Sequence, residues 1–243
     1  MVRSEERMKG CLKFILVGLL LVGGAKPSAA DFVRTVSLDF EREVIQKDKK
    51  EKLTGKIFYL SPLRTIVKIE GPIRQWIIYE KNEMTIYYPE DKAAFHMIFQ
   101  YSVSLPFFLA FLRGLKEDFG LSEMGYSLLK YEKKNSRLIS VWVPPKKAKN
   151  IFGEATLEYQ EDKLVRQEIK DPQGNVSNIS VYSNHVSFGT SSFPMEIRTT
   201  YASTSPGSTE VVKFKNAQFN ADLPSEIVVF KIPPDVKVRE VQW

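Results

Sequence analysis

Cysteine is almost absent from this chain of 243 residues, and the one thiol, Cys11, stands close to the N-terminus. Histidine is nearly as scarce: there are two, His96 and His185. Neither lies in an H-E-x-x-H pattern, and two imidazoles without carboxylates at fixed spacing do not make a usual zinc site. No G-x-S-x-G elbow or phosphate-binding glycine loop occurs, and no His or Asp is placed by sequence to activate Ser37 or Ser140. The carboxylate pairs Glu90-Asp91 and Glu117-Asp118 fall in turns, where solvation accounts for them. These absences argue against an enzyme and against a bound metal or cofactor. A dense basic patch is missing too. The runs Lys47–Lys52 and Lys146–Lys149 fall at turns and read as solvated loop tips, so nucleic acid is a poor partner despite a formal charge of +6.

Long apolar runs are also lacking. Phe14–Val22 is apolar but too short for a span of about 20 residues. It follows a basic stretch, Met8–Lys13, and precedes the small residues Ser28-Ala29-Ala30. That order predicts a cleavable secretory leader over residues 1–30, cut before Asp31. Met8 serves as a start as well as Met1. Cys11 precedes the apolar run, whereas a lipid-modified cysteine would follow it, so no lipid anchor is expected on this chain. Cleavage leaves a chain without cysteine, and neither disulfides nor thiol chemistry can matter to it. The leader holds five of the 35 Lys+Arg and two of the 29 Asp+Glu, which leaves +3 on the remainder.

Residues 31–243 read as one domain built of short strands. Phe32–Val44 alternates: Val36, Leu38, Phe40 and Val44 face one way, and Ser37, Asp39, Glu41 and Glu43 the other. From Lys56 to Phe95 the strands Ile57–Leu60, Arg64–Glu70, Trp76–Tyr79 and Met84–Tyr88 are separated by Pro62, Gly71-Pro72, Glu80–Glu83 and Pro89-Glu90-Asp91. This stretch is apolar on both faces, so its sheet is either sandwiched or curved around something greasy. Leu105–Leu115 reads as a helix with Pro106 in its first turn, apolar on nearly every side, and therefore buried or covering an apolar cavity. Strands resume at Tyr126–Glu132, Arg137–Val143, Ile151–Tyr159, Leu164–Lys170 and Val176–Tyr182. Ser183–Ser192 reads as irregular, and Pro194–Tyr201, Thr209–Phe219 and Ile227–Ile232 close the sheet. The expectation is a mainly β fold: a curled antiparallel sheet of roughly ten strands with one apolar helix. Aromatic residues make up 12% of the chain and cluster in the Lys56–Phe95 stretch and the helix, which points to binding of something apolar.

The order of the Lys56–Phe95 strands and prolines, the run Leu105-Pro106-Phe107-Phe108-Leu109, and the ending Phe214-x-Asn216…Val229-Phe230-Lys231-Ile232-Pro233-Pro234-Asp235-Val236 resemble the LolA family of periplasmic lipoprotein carriers. More loosely, they resemble the wider LolA/LolB/RseB-like superfamily. The resemblance implies an incomplete β-barrel with a helical lid, in the periplasm of a diderm bacterium. It implies a monomeric carrier that takes acylated lipoproteins from an inner-membrane LolCDE-like transporter and passes them to an outer-membrane LolB-like acceptor, using no cofactor. Phe107, Phe108, Leu109, Phe111 and Leu112 would line the lid, and Tyr59, Trp76, Ile78, Tyr87 and Trp142 the concave face of the sheet, although alternation does not decide which face that is. Two departures stand out. Asp31–Thr35 leaves almost no room for the short helix that opens the family's fold. Ser61 stands where family members often carry the arginine that latches the lid, with Arg64 as the candidate substitute. A free lipid or glycolipid shuttle and an RseB-like envelope-sensing module remain the alternatives.

Overall fold

The computed structural model describes residues 33–60, 64–80, 83–98, 118–122, 124–189, 191–202 and 207–242. The leader and the helix expected over 105–115 lie outside these residues. The strands are β1 (Thr35–Gln46), β2 (Lys49–Leu60), β3 (Arg64–Gly71), β4 (Gln75–Glu80), β5 (Glu83–Tyr88), β6 (Ala93–Ile98), β7 (Ser127–Lys134), β8 (Arg137–Val143), β9 (Ala155–Gln160), β10 (Lys163–Lys170), β11 (Val176–Phe188), β12 (Ser191–Tyr201), β13 (Ser208–Phe219) and β14 (Lys237–Gln242). One short helix, α1 (Ser225–Val228), precedes β14. All 14 strands form one sheet in the order β14-β6-β5-β4-β3-β2-β1-β13-β12-β11-β10-β9-β8-β7.

Local chemistry sets the hairpins. Asn135 and Ser136, and Glu161 and Asp162, take positive φ in pairs, the geometry of a tight two-residue turn between twisted strands. Asp171 closes the next turn by accepting the amides of Gln173 at 2.9 Å and Asn175 at 2.8 Å, with Gly174 in the left-handed region. At the centre of the sheet, Gly55 leaves no room for a side chain: a Cβ there would lie 2.2 Å from the Lys68 carbonyl oxygen and 2.9 Å from the Phe40 ring.

The sheet curls. Val36, Leu38 and Phe40 of β1 share one apolar cluster with Ile57, Val67, Val212, Phe214, Ile197, Phe193, Tyr182 and Leu157, so inward side chains from β3 round to β9 meet. Each such side chain, fully buried, contributes about 1.5–3 kcal/mol. Among the described residues the opposite face is covered only over β2–β6. There Phe58, Ile66, Ile78, Tyr87 and Ala94 form a second cluster with Ile227 of α1, and Trp76, Leu223, Phe230, Ile232 and Val236 pack against it. The cover is a strap, residues 220–236, that leaves β13, crosses the outside of the sheet and re-enters it as β14. That path makes β14 parallel to β6. It also explains why the Lys56–Phe95 stretch is apolar on both faces: one faces the inside of the curl, the other faces the strap.

Three expectations are corrected. Ile227–Ile232 is not a strand. Pro224 and Pro233-Pro234 bracket it, and its apolar residues turn onto the outer face instead of joining a ladder. Ser183–Ser192 is not irregular: β11 and β12 pair through it as far as Phe188 and Ser191. Two strands not expected from the sequence, β6 and β14, are short and of mixed polarity and carry no clean alternation of their own.

Candidate functional site

A recess of about 410 Å³ lies on the inner face. Its floor comes from β10–β13, including Tyr182, Ile197 and Val212, and its cover from Phe119, Leu121, Met124 and Tyr126, of which Phe119, Leu121 and Tyr126 are buried. Asp118 organises that cover. It accepts the Gly120 amide at 2.9 Å, the Ser122 amide at 3.0 Å and the Ser122 hydroxyl. Burial pushes its carboxyl up, but the bonds from Ser122 and Gly120 outweigh burial and hold it below its usual value. Phe119 meets Tyr182 edge to face at 5.2 Å. The Tyr126 hydroxyl donates to the Gly153 carbonyl at 3.2 Å. Gly153 in turn has no space for a Cβ, which would lie 2.1 Å from the Asp171 carbonyl oxygen.

The recess is polar at one end. Ser180, Thr199 and Glu210 are buried, at 5%, 9% and 7% exposure. Ser180 and Thr199 hydroxyls share a bond of 2.8 Å. Glu210 pairs with Arg42 and accepts the Tyr201 hydroxyl at 2.8 Å. Burial and the neighbouring Glu210 carboxylate together push the Tyr201 phenol far above its ordinary range. The Tyr182 hydroxyl donates to Gln167 at 3.1 Å.

The side chains expected to line a cavity do not come together. Tyr59 and Trp142 pack at the margin of the inner cluster, with the Trp142 indole N–H donating to Ser140 at 2.9 Å. Trp76, Ile78 and Tyr87 lie on the other face, beneath the strap, and Trp76 stacks on Phe230 with ring centroids 4.2 Å apart. In β4, Ile77 and Tyr79 point inward, so a register one residue off separates the two sets. The expected lid residues Phe107, Phe108, Leu109, Phe111 and Leu112 lie outside the described residues. Arg64, expected to latch the lid, bonds to the strap. Its guanidinium donates to the carbonyls of Val228 at 3.1 Å and Phe230 at 2.6 Å and pairs with Glu80 at 2.8 Å. With Ile78 it borders a second, more open hollow of about 550 Å³ on the outer face.

The residues that do line the inner recess were not singled out from the sequence. Carrying the inward parity of Phe40 across the β1–β13 and β12–β13 registers would have found Val212 and Ile197. Asp118 and its turn carry no such signal. The two histidines are satisfied locally: His96 Nδ1 lies 3.0 Å from the Thr85 hydroxyl, and His185 Nε2 lies 2.8 Å from the Leu164 carbonyl. Among the described residues no cluster of His, Cys, Asp and Glu could hold a metal, and no helix is long and apolar enough to cross a membrane.

Three solved structures share this architecture. A DUF1329 family protein from Desulfovibrio piger superposes with a TM-score of 0.61 at 11% identity, covering 83% of this chain and 92% of its own. An outer membrane lipoprotein-sorting protein domain from Vibrio parahaemolyticus gives 0.58 at 13% identity, with 79% and 88% covered. A LolA superfamily protein from Nitrosomonas europaea gives 0.55 at 15% identity, with 82% and 93% covered. At these identities they establish the fold alone. Comparison with curated protein sequences returns no match. The model of the family described as outer membrane lipoprotein carrier protein LolA matches residues 31–193, most of the chain, and the open curled sheet agrees with it: the chain belongs to the LolA family.

Proposed function

We propose that this protein is a periplasmic carrier that holds the acyl chains of lipoproteins in the inner recess and moves them from the inner to the outer membrane. The observation that carries the reading is the 410 Å³ recess, walled by Tyr182, Ile197 and Val212 and roofed by Phe119 and Leu121. Its volume falls in the range of ordinary ligand pockets. Transfer of an acyl chain from water into such walls is worth about 0.8 kcal/mol per CH2. A carrier needs no catalysis, cofactor or metal of its own. It needs a grip stronger than the donor's and weaker than the acceptor's. On this reading residues 1–30 direct export and are removed, and the partners are an inner-membrane LolCDE-like transporter and an outer-membrane LolB-like acceptor. The family assignment and the recess support this; the donor and acceptor are proposed on the family assignment alone.

Met124 supplies the test, because it lines the recess but is only half-buried, so a charge there spares the fold. Met124→Glu is expected to weaken binding of cis-parinaric acid, a fluorescent acyl probe, at least tenfold with the melting temperature nearly unchanged. Unchanged probe binding with the fold intact would place the acyl site elsewhere, and the outer hollow beside Arg64 would be the next candidate.

A further inference from the structure

The polar end of the recess is laid out as a cross-strand row. Glu210 of β13 stands opposite Thr199 of β12, Thr199 opposite Ser180 of β11, and Ser180 opposite Gln167 of β10. One step inward along the same strands, Val212, Ile197 and Tyr182 make a parallel apolar row. One step outward, Tyr201 stands near Asn178, and Asn178 also lines the recess. The recess therefore grades along the strands from apolar to polar. An acyl chain alone has no use for the polar end. Burying hydroxyls and a carboxylate there costs free energy unless each is hydrogen-bonded. Carrier function for bare hydrocarbon would be better served by valines at those positions.

We propose that the recess takes an amphiphile with an uncharged head group bearing hydroxyls or an amide. The head sits on the Glu210–Thr199–Ser180–Gln167 row and the chain runs over Val212, Ile197 and Tyr182 beneath Phe119. The proposal rests on the acyl-binding reading above and adds a head-group subsite to it. The charge count selects the head. Arg42 and Glu210 cancel, Lys170 and Asp171 are one of each sign, and Asp118 in the cover adds a negative charge. A phosphate or carboxylate head would find no net positive field and would face the Glu210 carboxylate. A hydroxyl or amide head finds acceptors in Glu210 and Gln167. The Ser180–Thr199 pair uses one hydroxyl proton in its mutual bond, which leaves one O–H free to donate and lone pairs on both oxygens free to accept.

The test compares two probes that share a chain: 1-monolauroylglycerol, with two free hydroxyls, and methyl laurate, with none. Both are titrated against wild type and against the Ser180→Ala/Thr199→Val double variant. Because those two hydroxyls bond each other, removing both leaves neither orphaned by the other, and near-isosteric replacement spares the fold. The monoglyceride is expected to bind wild type about tenfold tighter than the methyl ester. The double variant should narrow that ratio severalfold, with Glu210 and Gln167 still serving the head group. Laurate, with an anionic head, is expected to bind more weakly than the monoglyceride. A row that served stability alone would shift the melting temperature while leaving the two probes' ratio untouched, and that result overturns the proposal. Equal binding of both probes to wild type also overturns it while leaving the acyl site standing. Binding of neither probe removes both the subsite and the carrier reading beneath it.

Discussion

Replacing Arg64 with Ala removes the guanidinium that ties the strap to β3. In the wild type it donates to the Phe230 carbonyl at 2.6 Å and the Val228 carbonyl at 3.1 Å. Bonds from a charged donor contribute about 1.5–3 kcal/mol each when shielded, and less where water competes. The Phe230 bond is half-buried and sits at the upper part of that range; the Val228 bond is exposed and adds little. Glu80 is 50% exposed, so its ion pair is worth at most about 1 kcal/mol. The sum is about 2–4 kcal/mol. For a domain of this size that lowers the melting temperature by roughly 5–10 °C if the strap is part of the cooperative unit. The loss is local in origin, so hydrogen exchange with mass spectrometry is the better assay. Amides of Val228, Val229 and Phe230, bonded within the α1 turn, and the β14 amides paired to β6 should exchange faster in the variant. Those of β9–β13 should not. Arg64→Lys is expected to recover little, because a single ammonium does not reproduce the fork that reaches two carbonyls. Unchanged exchange in residues 225–242, or an equal rise across the whole sheet, would refute the assignment of Arg64 as the strap's latch.

Two further outcomes follow from the geometry. Gly55→Ala forces a Cβ against the Lys68 carbonyl and the Phe40 ring, so the central strands must shift; chemical denaturation should show a loss of about 1–3 kcal/mol. Asp118 has its folded value held below its unfolded one, so its contribution to the cover over the recess is full above an unfolded value of about 3.9 and is lost as pH falls through the lower folded value. Exchange at residues 118–126 should therefore quicken on acidification below about pH 4, and Asp118→Asn should abolish that dependence.

The hairpin ladder was legible because turn residues and alternation are local signals: Asn135-Ser136 and Asp171–Asn175 turn where their chemistry says they must. The apolar excess of Trp76–Tyr79 was legible too, but not its cause. The second apolar face belongs to the strap, whose Phe230 lies more than 150 positions further along the chain, and no local pattern reports a contact of that range. For the same reason Ile227–Ile232 looked like a strand: its apolar residues are needed, but by a sheet face and not by a ladder. The candidate site suffered most. Large aromatics drew attention to Trp76 and Tyr87, whereas the recess is built from middling residues such as Ile197 and Val212, whose shared facing appears only once register is known. Arg64 was expected to latch the lid helix; its bonds to the Val228 and Phe230 carbonyls of the strap appear only in three dimensions.

The most direct test of the central claim is native mass spectrometry of the protein isolated from a periplasmic fraction without detergent. A bound species carrying acyl chains is expected, lost or much reduced in Met124→Glu and retained in Arg64→Ala. A protein that stays empty when lipoproteins are abundant, or that keeps its acyl cargo in Met124→Glu, would contradict it.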